Sequence, residues 1–340
     1  MPEQKKRGII LMNLGSPDSV KVKDVRNYLK EFLMDERVID TNYLWRSILV
    51  KGIITPFRAP KSAEAYSSIW SAEGSPLVAI TKKQQQALQQ LISEPVEVAM
   101  RYGNPSMKAA YDSLLSKNPG IEEVILLPLY PHYAMSSYET AVEHAKSVHT
   151  KGKYPFTITA VPPFYSHPAY ISALAESIKP HLTDNGHLLF SYHSIPESHI
   201  HKTDPTGKHC LQSDNCCDMV NPEAQNNCYR HHCFVTMRLV AKQLGIPADK
   251  YSISFQSKLG RAEWLKPATT MRMEQMPKEG IKNLQVVCPS FVTDCLETLE
   301  EIAIREKENF LKAGGESFTF IPCMNVQPAW IKAMVTIIGN

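Results

Sequence analysis

Gly8-Ile9-Ile10-Leu11-Met12-Asn13-Leu14 runs directly into Gly15-Ser16-Pro17-Asp18. A short run of nearly continuous apolar residues, stopped by turn-forming residues, fits a strand buried on both faces; a half-buried strand would alternate apolar and polar residues. Outward from this stretch the pattern recurs, with apolar runs near 8–14, 96–101, 122–128, 156–160, 187–192, 251–256, 284–288 and 317–321. Between them lie helical patterns, for example 18–33, 105–117, 137–150, 167–181, 229–244, 295–312 and 328–338. Buried strands alternating with crossover helices predict an α/β chain with parallel sheets. No run approaches the roughly eighteen apolar residues of a transmembrane helix, and even Val124–Tyr130 is broken by Pro128. With no targeting signal at the start, the expected compartment is the cytoplasm.

The chain has 340 residues, 43% of them apolar and 21% charged, with a net charge of +3. At about 100–200 residues per domain this suggests two domains with sizeable cores, and it excludes disorder, collagen and coiled coil. No long basic run predicts nucleic-acid binding. Irregular strand spacing and a polar insert at 198–227 favour two doubly wound, Rossmann-like sheets over one eight-stranded barrel. The expected boundary falls at Val161-Pro162-Pro163, giving domains 1–161 and 162–327, with 328–340 returning to the first. Trp45–Leu77 has no clean period and reads as irregular structure or short helices over a cleft. No repeat of about 20–50 residues is visible, although two similar halves would escape this level of reading.

Open α/β sheets bind ligands beyond the carboxyl ends of their strands. The turns at those ends begin at Leu14, Arg101, Tyr130, Ser191, Gln256 and Pro289. His193 follows the run His187–Phe190 and precedes Pro196, which fits a fixed imidazole able to take protons near neutral pH; the plain alternative is a hydrogen-bonded loop histidine. Asp294, Glu297 and Glu301 would share one helix face, with Glu300 beside them, and could pass protons or a divalent cation. The competing reading of Asp294-x-x-Glu297 is a capping box. Arg58, Arg101 and Lys258 could meet an anionic group, or be solvated charge. Tyr130, Tyr133, Tyr138, Trp70 and Trp264 could wall a flat ligand, or be core. Absence of a Gly-x-Gly-x-x-Gly fingerprint, a Walker loop and a Gly-x-Ser-x-Gly elbow removes the usual support for a nucleotide cofactor or a serine hydrolase.

Of eight cysteines, Cys210, Cys216, Cys217, Cys228 and Cys233 fall close together in a polar segment. In a reducing compartment such a cluster points to metal, with iron–sulfur and zinc both open and paired C-x2-C knuckles absent.

Several of these stretches together resemble the ferrochelatases, which insert Fe2+ into a porphyrin in the last step of haem synthesis. The resemblance rests on GIILMNLGSPDS (Gly8–Ser19), RAPKSAEAYSSIWSAEGSPL (Arg58–Leu77), FSYHSIP (Phe190–Pro196), FQSKLGRAEWLKPAT (Phe255–Thr269) and CPSFVTDCLETLEEI (Cys288–Ile302). It covers nearly the whole chain apart from the insert and looks proteobacterial in type. It implies two Rossmann-like domains with a cleft between them, and protoporphyrin IX and Fe2+ as substrates without nucleotide or nucleic acid. Iron into coproporphyrin, cobalt into sirohydrochlorin, or a non-catalytic haem or iron sensor stand as alternatives. His193 matches the family histidine assigned to proton abstraction, metal binding or both, and Glu297 the glutamate opposite it. Leu14, Arg58, Arg101 and Tyr102 match positions near the porphyrin, and Tyr133 and Asp294 join them as pocket candidates. Cys295 stands where animal enzymes carry a second histidine. Some members hold a 2Fe–2S cluster, usually through C-terminal cysteines. Here Cys323 is alone at that end; some bacterial members draw ligands from an internal segment instead, and the resemblance to them implies an internal cluster held by four of Cys210, Cys216, Cys217, Cys228 and Cys233. By resemblance Cys233, Cys288 and Cys295 are the weaker candidates, because clusterless relatives also carry them. A peripheral membrane contact is left open.

Overall fold

The computed structural model describes residues 6–339 except 259 and 261. Two compact units divide the chain. One runs to Tyr130, takes in Met135–Pro162 and ends with the segment from Met334; the other comprises Pro131–Ala134 and Pro163–Ala333.

The first unit is built on a parallel sheet of β1 (Arg7–Ser16), β2 (Val96–Gly103), β3 (Glu123–Pro128) and β4 (Thr157–Ala160), in the order β2-β1-β3-β4. The second uses β5 (His187–His193), β6 (Tyr251–Gln256), β7 (Asn283–Val287) and β8 (Ser317–Phe320), in the order β6-β5-β7-β8. β1 and β5 are buried over most of their length, as continuous apolar runs between two parallel neighbours should be. The expected pair of doubly wound parallel sheets is therefore what forms.

The second sheet repeats the first in detail. Gly8–Ser19 and His187–Ser198 align residue for residue, and so do Thr157–Leu174 and Ser317–Met334, where Pro162/Pro322, Pro168/Pro328, Ala169/Ala329, Ile171/Ile331 and Ala173/Ala333 are identical. Backbone bonds repeat too: Val161 N–H donates to Leu126 C=O (2.9 Å) as Ile321 N–H does to Val286 C=O (2.8 Å). Leu14 and His193 thus hold the same position in the two sheets.

Of the two readings of Trp45–Leu77, irregular structure or short helices, the helical one forms. Tyr43–Ser47 continues through a π-helical stretch, Ile48–Ile54, into the helix Thr55–Ile69. Its period is blurred because π-type bonding shifts the register, Pro56 and Pro60 interrupt the bond ladder, and Tyr43, Leu44, Trp45, Ile48, Ile53 and Phe57 are exposed rather than turned to a core. The helix expected at 295–312 begins instead with a π-helical stretch, Glu297–Glu306. Within the described residues no helix is long and apolar enough to cross a membrane.

Candidate active site

The carboxyl end of the second sheet gathers His193, Gln256, Ser257, Ser290 and Glu297. β5 pairs with β6 as far as His193↔Gln256, whereas its pairing with β7 stops at Phe190↔Val287. Ser194 N–H still bonds Gln256 C=O at 2.8 Å on the β6 side. Backbone groups alternate along a strand, so those of His193 face the side that β7 has left. Side chains replace the missing strand. His193 N–H donates to Ser290 Oγ (3.1 Å), Tyr229 Oη–H donates to His193 C=O (2.7 Å), and the two hydroxyls lie 2.7 Å apart.

The imidazole of His193 places Nδ1 2.6 Å from Ser194 C=O. A carbonyl only accepts, so Nδ1 carries a proton, and in the neutral ring the lone pair lies on Nε2. Phe291 meets the ring edge-on at 6.1 Å.

Glu297 opens the π-helical stretch, and its C=O accepts from Gln256 Nε2 at 2.9 Å. Gln256 is itself buried and fixed by Ser191 Oγ (2.7 Å), so the end of β6 anchors the start of this helix. Burial first, and then the Glu297 carboxylate bonded to its sulfur, push the Cys295 thiol up and keep it protonated. One turn on, Glu301 accepts Ser257 N–H at 2.9 Å and the Ser257 hydroxyl. Ser257 takes φ +67°, a left-handed conformation that this double bond holds. Burial raises the Glu301 carboxyl to about 7, and the charge of Glu297 adds to the rise.

Asp294 does not share this face. Its carboxylate accepts from Thr298 Oγ (3.0 Å), Cys323 N–H (3.2 Å) and Asn325 Nδ2 (2.7 Å), which staples the loop after β8. Nor is a capping box formed: the residue before the π-helical stretch is Leu296, and Thr298 Oγ takes the Cys295 N–H at 3.0 Å. The three-carboxylate ladder therefore reduces to Glu297 and Glu301, because Asp294 lies ahead of the helix rather than on it.

In the first unit, Leu14 is half-buried at the end of β1 and Arg58 is exposed on the helix Thr55–Ile69. Arg101 pairs with buried Asp35, donates to Thr140 Oγ1 (2.8 Å) and lies 4.3 Å from the Tyr102 ring centre. Tyr102 is buried, with its hydroxyl donating to Asp35 at 2.9 Å. Tyr133, in the second unit, is half-buried and donates its N–H to His232 Nδ1 at 3.2 Å.

The cysteine block sorts into four and one. Hydrogen bonds link the thiols of Cys216 and Cys217, Cys217 and Cys228, and Cys228 and Cys210. Asp204, in an Asp-Pro-Thr-Gly turn, accepts Cys210 N–H (2.8 Å) and His209 N–H (3.0 Å) and so presents Cys210. Leu211 N–H and His231 N–H donate to Cys216 Sγ (3.4 Å) and Cys228 Sγ (3.5 Å), while Arg230 reaches Cys216 Sγ (3.4 Å) and Cys217 Sγ (3.3 Å). His209 and His231 bond the carbonyls of Cys216 and Cys217, which leaves sulfur as the donor set. Cys233 is also buried, but its sulfur bonds Tyr229. Among the described residues no group of three or more His, Cys, Asp or Glu is disposed to hold a metal ion as it stands.

Tyr229 was not singled out from sequence, although it directly follows Cys228; Ser290 was reached only as part of the strand-end turn that begins at Pro289. Asp35 and Arg230 had no signal beyond being charged residues.

Comparison with known proteins gives a consistent result. The model of the ferrochelatase family matches residues 6–340. A ferrochelatase of Pseudomonas savastanoi pv. phaseolicola is 47% identical over 96% of this chain and 95% of its own length. One of Pseudomonas entomophila is 45% identical over 98% of both chains. Among solved structures, SirB from Bacillus subtilis with Fe3+ superposes with a TM-score of 0.54 at 12% identity, covering 98% of this chain and 94% of SirB, a likeness of fold.

Proposed function

Since the chain belongs to the ferrochelatase family, we infer that it is a porphyrin metal lyase that inserts Fe2+ into protoporphyrin IX to give protohaem. The observation that carries the mechanism is the fixed tautomer of His193, with Nδ1–H spent on Ser194 C=O and a lone pair at Nε2. Metallation replaces two pyrrole N–H protons by one divalent cation, so two protons must leave the ring. His193 Nε2 accepts them in turn and is discharged to carboxylate and solvent. Glu297 receives protons or meets the incoming cation. Glu301, with its carboxyl raised to about 7, can both take and return a proton at neutral pH. Imidazole and carboxylate bind Fe2+ loosely enough to release it to four pyrrole nitrogens, whereas thiolate would retain it. Cys295 beside Glu297 is kept as a thiol by burial, which suits that need.

Of the pocket candidates, Leu14 and Arg58 in the first unit and Tyr133 in the second keep solvent-facing surface, as residues offered to a ligand must. Arg101, Tyr102 and Asp294 serve as supports. The exposed row Tyr43, Leu44, Trp45, Ile48, Ile53 and Phe57 supplies apolar area for receiving a porphyrin and for a peripheral membrane contact.

Cys210, Cys216, Cys217 and Cys228 would hold a 2Fe–2S cluster. Four buried sulfurs linked in one chain, with peptide N–H and guanidinium donors beside them, match the four thiolates that a 2Fe–2S cluster takes. Bound there, the cluster supplies a redox-active centre, while the insertion transfers no electron; ordering of the insert or redox sensing is its proposed use.

The deciding experiment is anaerobic Fe2+ insertion into protoporphyrin IX. His193→Ala should lower kcat by about 100-fold or more and Glu297→Gln by about 10-fold or more; full activity in both would sink the assignment. For the cluster, anaerobically purified protein should show visible charge-transfer bands that Cys217→Ser removes. Zinc by elemental analysis in a colourless protein would refute it.

A further inference from the structure

Three hydrogen bonds close a ring around the backbone of His193: its N–H donates to Ser290 Oγ, the Ser290 and Tyr229 hydroxyls bond each other, and Tyr229 Oη–H donates to the His193 C=O. Such a ring is needed because β7 has already left the sheet at this level, after Val287, while β5 continues. Without it a peptide N–H and a peptide C=O at a half-buried strand end would lose their partners, and the one-residue turn that carries the imidazole would be free to rotate.

We propose that Tyr229 and Ser290 are positioning residues that clamp the backbone of His193 and thereby hold its Nδ1–H on the Ser194 carbonyl and its Nε2 in one direction. This rests on the reading of His193 as the proton acceptor. The clamp has a rigid root. Tyr229 is the first residue of the helix Tyr229–Leu244, and the preceding Cys228 caps that helix by accepting the His231 N–H on its sulfur. The following Arg230 grips Cys216 and Cys217. The Tyr229 ring is further held edge-on against His132 at 5.9 Å, and its hydroxyl also meets Cys233. One residue of helix thus stands between the thiol block and the catalytic turn, which gives the insert a mechanical part in the site without any electron transfer.

Tyr229→Phe and Ser290→Ala each remove one member of the ring and leave the imidazole in place. The expected result is a fall in kcat of about 5- to 20-fold with KM for protoporphyrin IX unchanged within about twofold. Because the bonds form one ring, the double variant should be no more than about twofold worse than the poorer single one. Placed on His193→Ala, Tyr229→Phe should change the residual rate by less than about twofold. Nitrogen-15 spectra of labelled His193 should show one tautomer in the wild type and an exchanging mixture in Tyr229→Phe, whatever the activity. An unchanged His193 nitrogen pattern in Tyr229→Phe would overturn the clamp, as would equal kcat losses from Tyr229→Phe in the presence and absence of His193. If His193→Ala retained full activity while the tautomer still scrambled in Tyr229→Phe, the clamp would stand and the catalytic reading would fall.

Discussion

Glu301 is 8% exposed and faces Ser257, Arg305 and the carboxylate of Glu297. Burial raises its carboxyl to about 7 from an ordinary 4.5, with Glu297 adding to the rise and Ser257 and Arg305 opposing it. Between these values the folded chain holds a proton that the unfolded chain has lost, so stability falls as pH rises through that window. A shift of this size corresponds to about 3 kcal/mol lost by pH 8. Glu301→Gln should therefore flatten the decline in urea midpoint between pH 5 and pH 8, and equal slopes in both proteins would count against the assignment. Its position beside Glu297 was visible in the sequence as helical spacing, but its protonation was not, because that depends on burial in the folded chain.

At the level of elements, the strand ends decide most of the site. Gly15 follows Leu14 at φ +107°, and a Cβ there would stand 1.8 Å from the Tyr102 carbonyl oxygen. Gly15→Ala should lower stability by at least about 2 kcal/mol through clash and forced backbone, read as a shifted denaturation midpoint; a loss below about 0.5 kcal/mol would mean that β1 and β2 can part there at little expense. The strands and their turns were legible because continuous apolar runs admit few other readings, and the rule about carboxyl ends then led to His193, Gln256 and Ser290. The π-helical stretches were not legible, since an i to i+5 register erases the period by which helices are read. Asp294 misled for a related reason: its spacing to Glu297 assumes a helix that begins earlier than it does. Within the thiol block, the resemblance already marked Cys233 as a weaker candidate, and its sulfur meets Tyr229 four residues earlier on the same helix.

The whole molecule is a frame used twice. Both sheets share one strand order, and the equivalent residues Tyr170 and Trp330 pack edge to face at 6.3 Å. Trp330 is fully buried, yet its Nε1–H finds no acceptor among the described residues. Trp330→Ala should lower stability by about 3–5 kcal/mol, while Trp330→Phe should lose far less, because it keeps most of the packing and deletes an orphaned donor. Similar losses in the two variants, measured by urea titration, would show that this N–H is satisfied after all. The repeat escaped sequence reading because only short motifs survive in both halves, and the crossovers following their first strands have diverged completely: one carries the exposed apolar row, the other the cysteines. Leu14 and His193 give this divergence a chemical meaning. At equivalent strand ends the two sheets carry different chemistry, an imidazole in one and hydrocarbon in the other. Of these two like strand ends, therefore, only the one in the second sheet presents a side chain that can carry a proton.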